Sequence, residues 1–238
     1  MPVILNIETS TSICSVALAE KGEVIAYKEN PDERSHASQL TPFIEEVLSV
    51  ADVEPGYLEA IAVSKGPGSY TGLRIGISTA KGMAWALDKP LIGIDTLQCL
   101  AAGFKATYPG LLSPKNTLLC PMIDARRMEV YTALYNIGLK RITEVRAEII
   151  DENSFANLLP DHKIIFFGDG MQKCRDIIQH ENAVFMDQIY PLARYLAQLS
   201  YNKYLERKFE DVAYFEPYYL KDFIATIPRN MLKNNTCG

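Results

Sequence analysis

Val63-Ser64-Lys65-Gly66-Pro67-Gly68-Ser69-Tyr70-Thr71-Gly72-Leu73-Arg74-Ile75-Gly76 is the stretch on which the parsing of the chain turns. Gly66, Pro67, Gly68 and Gly72 stand too close together for a strand or a helix to run through them, so the segment is a turn. Before it, Leu58 to Ser64 is apolar and reads as a strand that ends there. After it, Leu73 to Leu87 has the spacing of a helix. Gly72, Gly76, Ala80 and Ala84 recur every four residues and leave one ridge of that helix nearly bare. Each interior glycine costs about 0.5–1 kcal/mol relative to alanine. A ridge kept at that cost suits close helix packing or close approach of a ligand.

Working outward, Pro90 to Ile94 reads as the next strand and Thr96 to Ala102 as the start of a helix. Upstream, the apolar run 3–7 meets a polar turn, Glu8-Thr9-Ser10-Thr11-Ser12, and then Cys14–Leu18 and Val24–Tyr27 complete a hairpin. From His36, the residues Leu40, Phe43, Ile44, Val47 and Leu48 fall on one helix face. Strands alternating with helices after an opening hairpin predict an α/β lobe with a mixed sheet. Tyr108-Pro109-Gly110, with Ser113-Pro114 after it, marks a boundary between lobes 1–108 and 109–238. The pattern then restarts: a strand over 117–124 ends on Asp124, a second covers 129–135, and a third, 163–167, enters Gly168-Asp169-Gly170. A last helix, 191–206, shows Leu192, Tyr195, Leu196, Leu199 and Lys203 on one face and is expected to pack back on the first lobe. The tail from Lys233 is expected to fray.

Composition narrows the function. An apolar fraction of 48% with 22% charged residues and no low-complexity tract describes an ordinary globular protein. Lys and Arg number 24 against 29 Asp and Glu, a net charge of -5 with no basic run, so any service to nucleic acid is expected to go through a partner. The first residues carry no basic region and too short an apolar run for a leader, and the reading is cytoplasmic, with no membrane association. The five cysteines, Cys14, Cys99, Cys120, Cys174 and Cys237, are scattered without a C-x-x-C pair and read as buried free thiols.

Two strand ends could carry chemistry. Glu8 with Thr9, Ser10 and Ser12, and Asp124 with Gly168 and Gly170, are residue types that hold phosphate or a hydrated Mg²⁺; solvated turns are the alternative. Gly66 to Gly72 invites a phosphate-loop reading, yet it lacks the G-K-[ST] ending, and a plain turn with Thr71 capping the helix is as physical. His36, His162 and His180 are far apart and form no metal pair, and His36 reads as a helix-start residue. No nucleophile set assembles from spacing.

Several segments together resemble the TsaB (YeaZ) family. Gly66–Gly76 matches its G-P-G-S-[FY]-T-G-L-R-I-G signature, and Ile7-Glu8-Thr9-Ser10, Ser35-His36, Ile123-Asp124-Ala125-Arg126 with Glu129-Val130-Tyr131, Gly168-Asp169-Gly170 and Pro217-Tyr218-Tyr219-Leu220-Lys221 accompany it. The resemblance implies a two-lobed actin-like ATPase fold, shared with sugar kinases and heat-shock ATPases. It also implies kinship with TsaD, which transfers the threonylcarbamoyl group to the adenosine next to the anticodon of tRNA. TsaD carries metal-binding histidines as H-x-x-x-H; counted from Pro90, the matching positions here are Thr96 and Leu100. The implied role is therefore a non-catalytic one: binding and activating TsaD as a heterodimer, joined by the ATPase TsaE, with tRNA reached through the complex. No cofactor of its own is implied; ATP or ADP with Mg²⁺ is left to the complex interface.

Family members pair with TsaD through two helices of the first lobe. These are here about His36–Ser49, with Leu40, Phe43, Ile44 and Val47, and Leu73–Leu87, with Leu73, Gly76, Ile77, Ala80 and Ala84. The same residues read equally as intralobe core. One departure is Glu8, where the family often has Asp, and it weakens a Mg²⁺-nucleotide role. Alternatives are an ATP-dependent small-molecule kinase of the same fold, a glycoprotease-like peptidase, and a homodimer through the same helices.

Overall fold

The computed structural model describes residues 2–30, 36–112 and 116–220. Ser35, Ser113-Pro114, Lys221, Cys237 and the tail from Lys233 lie outside the described residues.

The opening apolar run forms β1 (Val3–Glu8), antiparallel to β2 (Cys14–Glu20), which is antiparallel to β3 (Glu23–Asn30). On the other side of β1, β4 (Ala60–Gly66) and β5 (Leu91–Asp95) add in parallel, giving the order β3-β2-β1-β4-β5. Parallel neighbours need long crossovers, and α1 (His36–Val50) and α2 (Tyr70–Leu87) supply them. The second sheet contains β6 (Thr117–Asp124), β7 (Glu129–Thr132), β8 (Tyr135–Asn136), β9 (Arg146–Ile149), β10 (Lys163–Phe167) and β11 (Ala183–Met186). Its order is β11-β10-β6-β7-β9, with β8 also on β6. Here β6 and β7 are antiparallel, β7 and β9 likewise, and β10 and β11 run parallel to β6. The two sheets thus repeat one layout without a repeat in sequence.

Between them runs α3 (Thr96–Thr107), whose Leu97, Leu100, Ala101 and Phe104 join Leu119, Ile123, Ile165 and Phe167 in one cluster. Phe104 stacks on Phe167 at 4.6 Å. The last helix, α4 (Ala193–Leu205), lies against β1, β2 and β5 of the first sheet. Ser200 Oγ donates to Asn6 Oδ1 at 2.7 Å, and Ala193 N donates to Ser15 Oγ at 2.9 Å. Among the described residues no helix is long and apolar enough to cross a membrane.

Three local expectations are corrected. Helix α2 starts at Tyr70, and its N-cap is Ser69, whose hydroxyl accepts from Gly72 N at 3.2 Å, not Thr71. The strand expected over 129–135 breaks at Ala133-Leu134, because Pro121 on β6 has no N–H for the ladder there; Leu134 N turns instead to Thr143 Oγ1 at 2.9 Å. The buried stripe of α4 is Ala193, Leu196, Ala197 and Ser200, while Lys203 reaches sideways to donate to Gly93 O at 2.6 Å.

Candidate functional site

Glu8 ends β1 with no exposed surface. Its Oε1 accepts from Ser10 N at 2.6 Å and its Oε2 from Ser64 Oγ. Thr9 Oγ1 donates to Gly72 O at 2.8 Å, and His36, the first residue of α1, sets Nε2 3.0 Å from Thr11 O. The small ridge of α2 explains this density. A Cβ at Gly72 would lie 2.1 Å from Thr9 O, and one at Gly76 2.2 Å from Thr9 Oγ1. The glycines are needed because the turn after β1 rests directly on the helix.

This packing corrects the phosphate reading of the first turn. Ser69 N donates to Ser10 O at 2.7 Å and Gly72 N to Ser69 Oγ, so these loop amides are already engaged. Glu8, Thr9 and Ser10 are fully enclosed, and Ser12 is half-buried at the edge. Burial pushes the Glu8 carboxyl above its ordinary 4.5, with the hydrogen bonds from Ser10 and Ser64 opposing. In this arrangement the Glu8 carboxyl has no surface open to solvent.

The raised value has a measurable sign. Below pH 4.5 Glu8 is protonated in both folded and unfolded chains; above it the unfolded chain ionises first, and the Glu8 contribution to stability falls as pH rises. The urea midpoint of wild type should therefore decline relative to that of Glu8→Gln between pH 4.5 and neutrality. Parallel profiles would show that Glu8 titrates normally.

At the second strand end, Asp124 is half exposed; its carboxylate pairs with Lys173 and accepts from Arg126 N at 2.9 Å. Asp124 N donates to Asp169 Oδ1 at 3.0 Å, and burial raises the Asp169 carboxyl, with the Asp124 charge adding to it. Gly168, at φ 106°, would put a Cβ 2.2 Å from Met122 O, and Gly170 one 2.8 Å from Ile123 C. These glycines close their turn onto β6.

The partner-facing set also needs correction. Leu40, Phe43, Ile44, Val47, Leu73, Ile77, Ala80 and Ala84 are at most 8% exposed, and Gly76 is buried with them. They hold α1 and α2 onto their own sheet, so they are core in the single chain. The outward face of α2 is different: Ser78, Gly82, Trp85 and Ala86 are exposed at i, i+4, i+7 and i+8, with Trp85 78% accessible. Val50, at the end of α1, is 71% accessible. Sequence reasoning passed over these residues, although the chain's single tryptophan lying off the apolar stripe was a legible signal.

Thr96 and Leu100 lie on α3 with no exposed surface. Among the described residues no group of three or more His, Cys, Asp or Glu side chains is placed to hold a metal. Cys14, Cys99, Cys120 and Cys174 are free and buried; burial pushes Cys14 and Cys174 up to about 11 and raises the other two. At neutral pH such thiols stay protonated and unreactive.

A family model described as "TsaD: tRNA N6-adenosine threonylcarbamoyltransferase" matches residues 26–229. The "tRNA threonylcarbamoyladenosine biosynthesis protein TsaB" of Escherichia coli is 31% identical over 231 residues, 93% of this chain and 96% of that protein. The protein of the same name from Bacillus subtilis is 40% identical over a shorter stretch, 56% of this chain and 54% of its own length. The structure of YeaZ from Pseudomonas aeruginosa superposes with a TM-score of 0.78 at 27% identity, covering 92% of this chain and all of that one. The duplicated sheets are those of the actin-like ATPase fold. With a full-length relative above 30% identity and the family's turn sealed against α2 by its glycines, this chain belongs to the TsaB (YeaZ) family.

Proposed function

We propose that this chain is a non-catalytic subunit in tRNA N6-threonylcarbamoyladenosine formation, which binds a TsaD partner through the outward face of α1 and α2 and activates it. The observation that carries this reading is the α3 position. By the resemblance, counted from Pro90, TsaD's metal-binding histidines correspond here to Thr96 and Leu100, neither of them a metal ligand and both buried in the core. Catalytic groups must then come from the partner. The exposed Trp85 beside Ser78, Gly82 and Ala86 supports helix-on-helix docking, since small residues admit a close backbone and a tryptophan anchors an interface. A second copy of this chain could use the same face when TsaD is absent. TsaE and tRNA join through the complex, in keeping with a net charge of -5, and any nucleotide sits at the complex interface.

The test mixes the purified chain with TsaD of the same organism, measures mass by light scattering, and assays threonylcarbamoyl transfer to tRNA with each protein omitted. A one-to-one complex and transfer that needs both proteins is expected. A chain that ignores TsaD and binds ATP unaided would replace this reading with that of a small-molecule kinase.

A further inference from the structure

After α4 the chain returns across the first lobe as residues 207–219. Glu210 N donates to Leu91 O at 2.8 Å and covers the free edge of β5. Phe215 is buried in the cluster that also holds Leu91 and Ile77. From α2, Lys81 Nζ donates to Ala213 O at 3.2 Å and to Phe215 O at 2.9 Å. Tyr218 N donates to Lys65 O at 2.7 Å, and the Tyr219 ring lies 4.9 Å from that of Tyr70, with Arg74 Nε donating to Tyr219 Oη at 3.2 Å. These ties lay the segment as a strap along the β5 side of α2, while α1 packs over β2 and β3 on the other side. The outer surface of this layer is therefore three strips wide, with α2 in the middle.

Tyr214 and Trp85 are the two most exposed large hydrophobic side chains among the described residues, at 83% and 78%. Both flank Lys81: Trp85 follows it by one helical turn, and the two carbonyls that Lys81 holds stand on either side of Tyr214 in the chain. Covering β5 and burying Phe215 require nothing of position 214, so folding does not account for an aromatic there. Further along the strap Tyr218 and Tyr219 are also exposed. Two large aromatics on one patch mark an interaction surface. A stable interface removes about 800 Å² from each partner, and Ser78, Gly82 and Ala86 on α2 carry little of it. An aromatic side chain can bury about 150–250 Å², so the tyrosines of the strap supply area that α2 lacks. A strap already held at several points also loses little freedom on docking.

We propose that the strap 207–219 is a third strip of the partner-binding face, with Tyr214 a second aromatic anchor beside Trp85 that enters an apolar pocket of the TsaD partner. The inference rests on the reading of α1 and α2 as the TsaD-binding face. Isothermal titration of the full chain with TsaD of the same organism tests it, comparing wild type with Trp85→Ala, Tyr214→Ala and Ile149→Ala. Ile149 is an exposed apolar residue on β9 of the second sheet and serves as the control. Tyr214→Ala should weaken the complex by about tenfold or more, as Trp85→Ala does, with the unfolding midpoint of the isolated chain unchanged. Ile149→Ala should bind as wild type. If Trp85→Ala weakens binding and Tyr214→Ala matches the control, the strap is overturned and the α2 face stands. If wild type forms no complex, or if neither aromatic substitution weakens it, both fall.

Discussion

Gly82→Arg should abolish association with a TsaD partner while leaving the isolated chain at least as stable as wild type. A Cβ at Gly82 would meet nothing within 4 Å, so the side chain enters open space in the monomer. Replacing an interior helix glycine also recovers about 0.5–1 kcal/mol of helix propensity. In the complex the same guanidinium would be buried beside Trp85 without a counter-charge, a penalty of about 3 kcal/mol or more and thus roughly a hundredfold or more in affinity. Light scattering with TsaD and thermal unfolding of the chain alone read the two halves separately. A complex that forms undiminished would remove the outward face of α2 from the interface. Ala80→Arg, which the bare-ridge reading would select, is a poor test: Ala80 has no exposed surface, and a charge there would disrupt the lobe itself.

Gly72→Ala is expected to destabilise the chain by about 2–3 kcal/mol, whereas Gly82→Ala, on the same helix, stabilises it by about 0.5–1 kcal/mol. The added methyl at Gly72 would sit 2.1 Å from Thr9 O, a backbone atom that cannot rotate aside. Relief requires the turn after β1 to move, and with it the hydrogen bond from Thr9 to Gly72 and the Glu8–Ser64 contact above it. Urea midpoints of the two variants should move in opposite directions. Shifts of the same sign would mean that the turn does not rest on the helix as described.

Much of this organisation is legible in the residues. The Gly66–Gly72 turn, the faces of α1 and α2 and the opening hairpin are local features, set by backbone freedom and by periodicities of two and 3.6 residues. The strands β9 and β11 left less of a mark. Both are four residues long at the margins of their sheet, with little of the burial that forces alternation on a strand. The strand over 129–135 was misread for a related reason: the interruption lies in Pro121 of its neighbour, not in its own sequence.

The candidate site was legible as residue types and illegible as geometry. Sequence placed a carboxyl and hydroxyls at the end of β1 and small residues along α2 as two separate features. In the structure they form one contact, in which Gly72 and Gly76 make room for Thr9, and the ridge thought open to a partner is filled from within. Tyr27 and Glu29 likewise meet Arg194 only through folding, since nothing near it in sequence brings them together. By itself the sequence determined the strands, helices and turns that local chemistry controls, and through them the family. Only the tertiary structure decided which side of each helix faces inward and which residues share a cleft, because burial depends on neighbours that are distant in the chain.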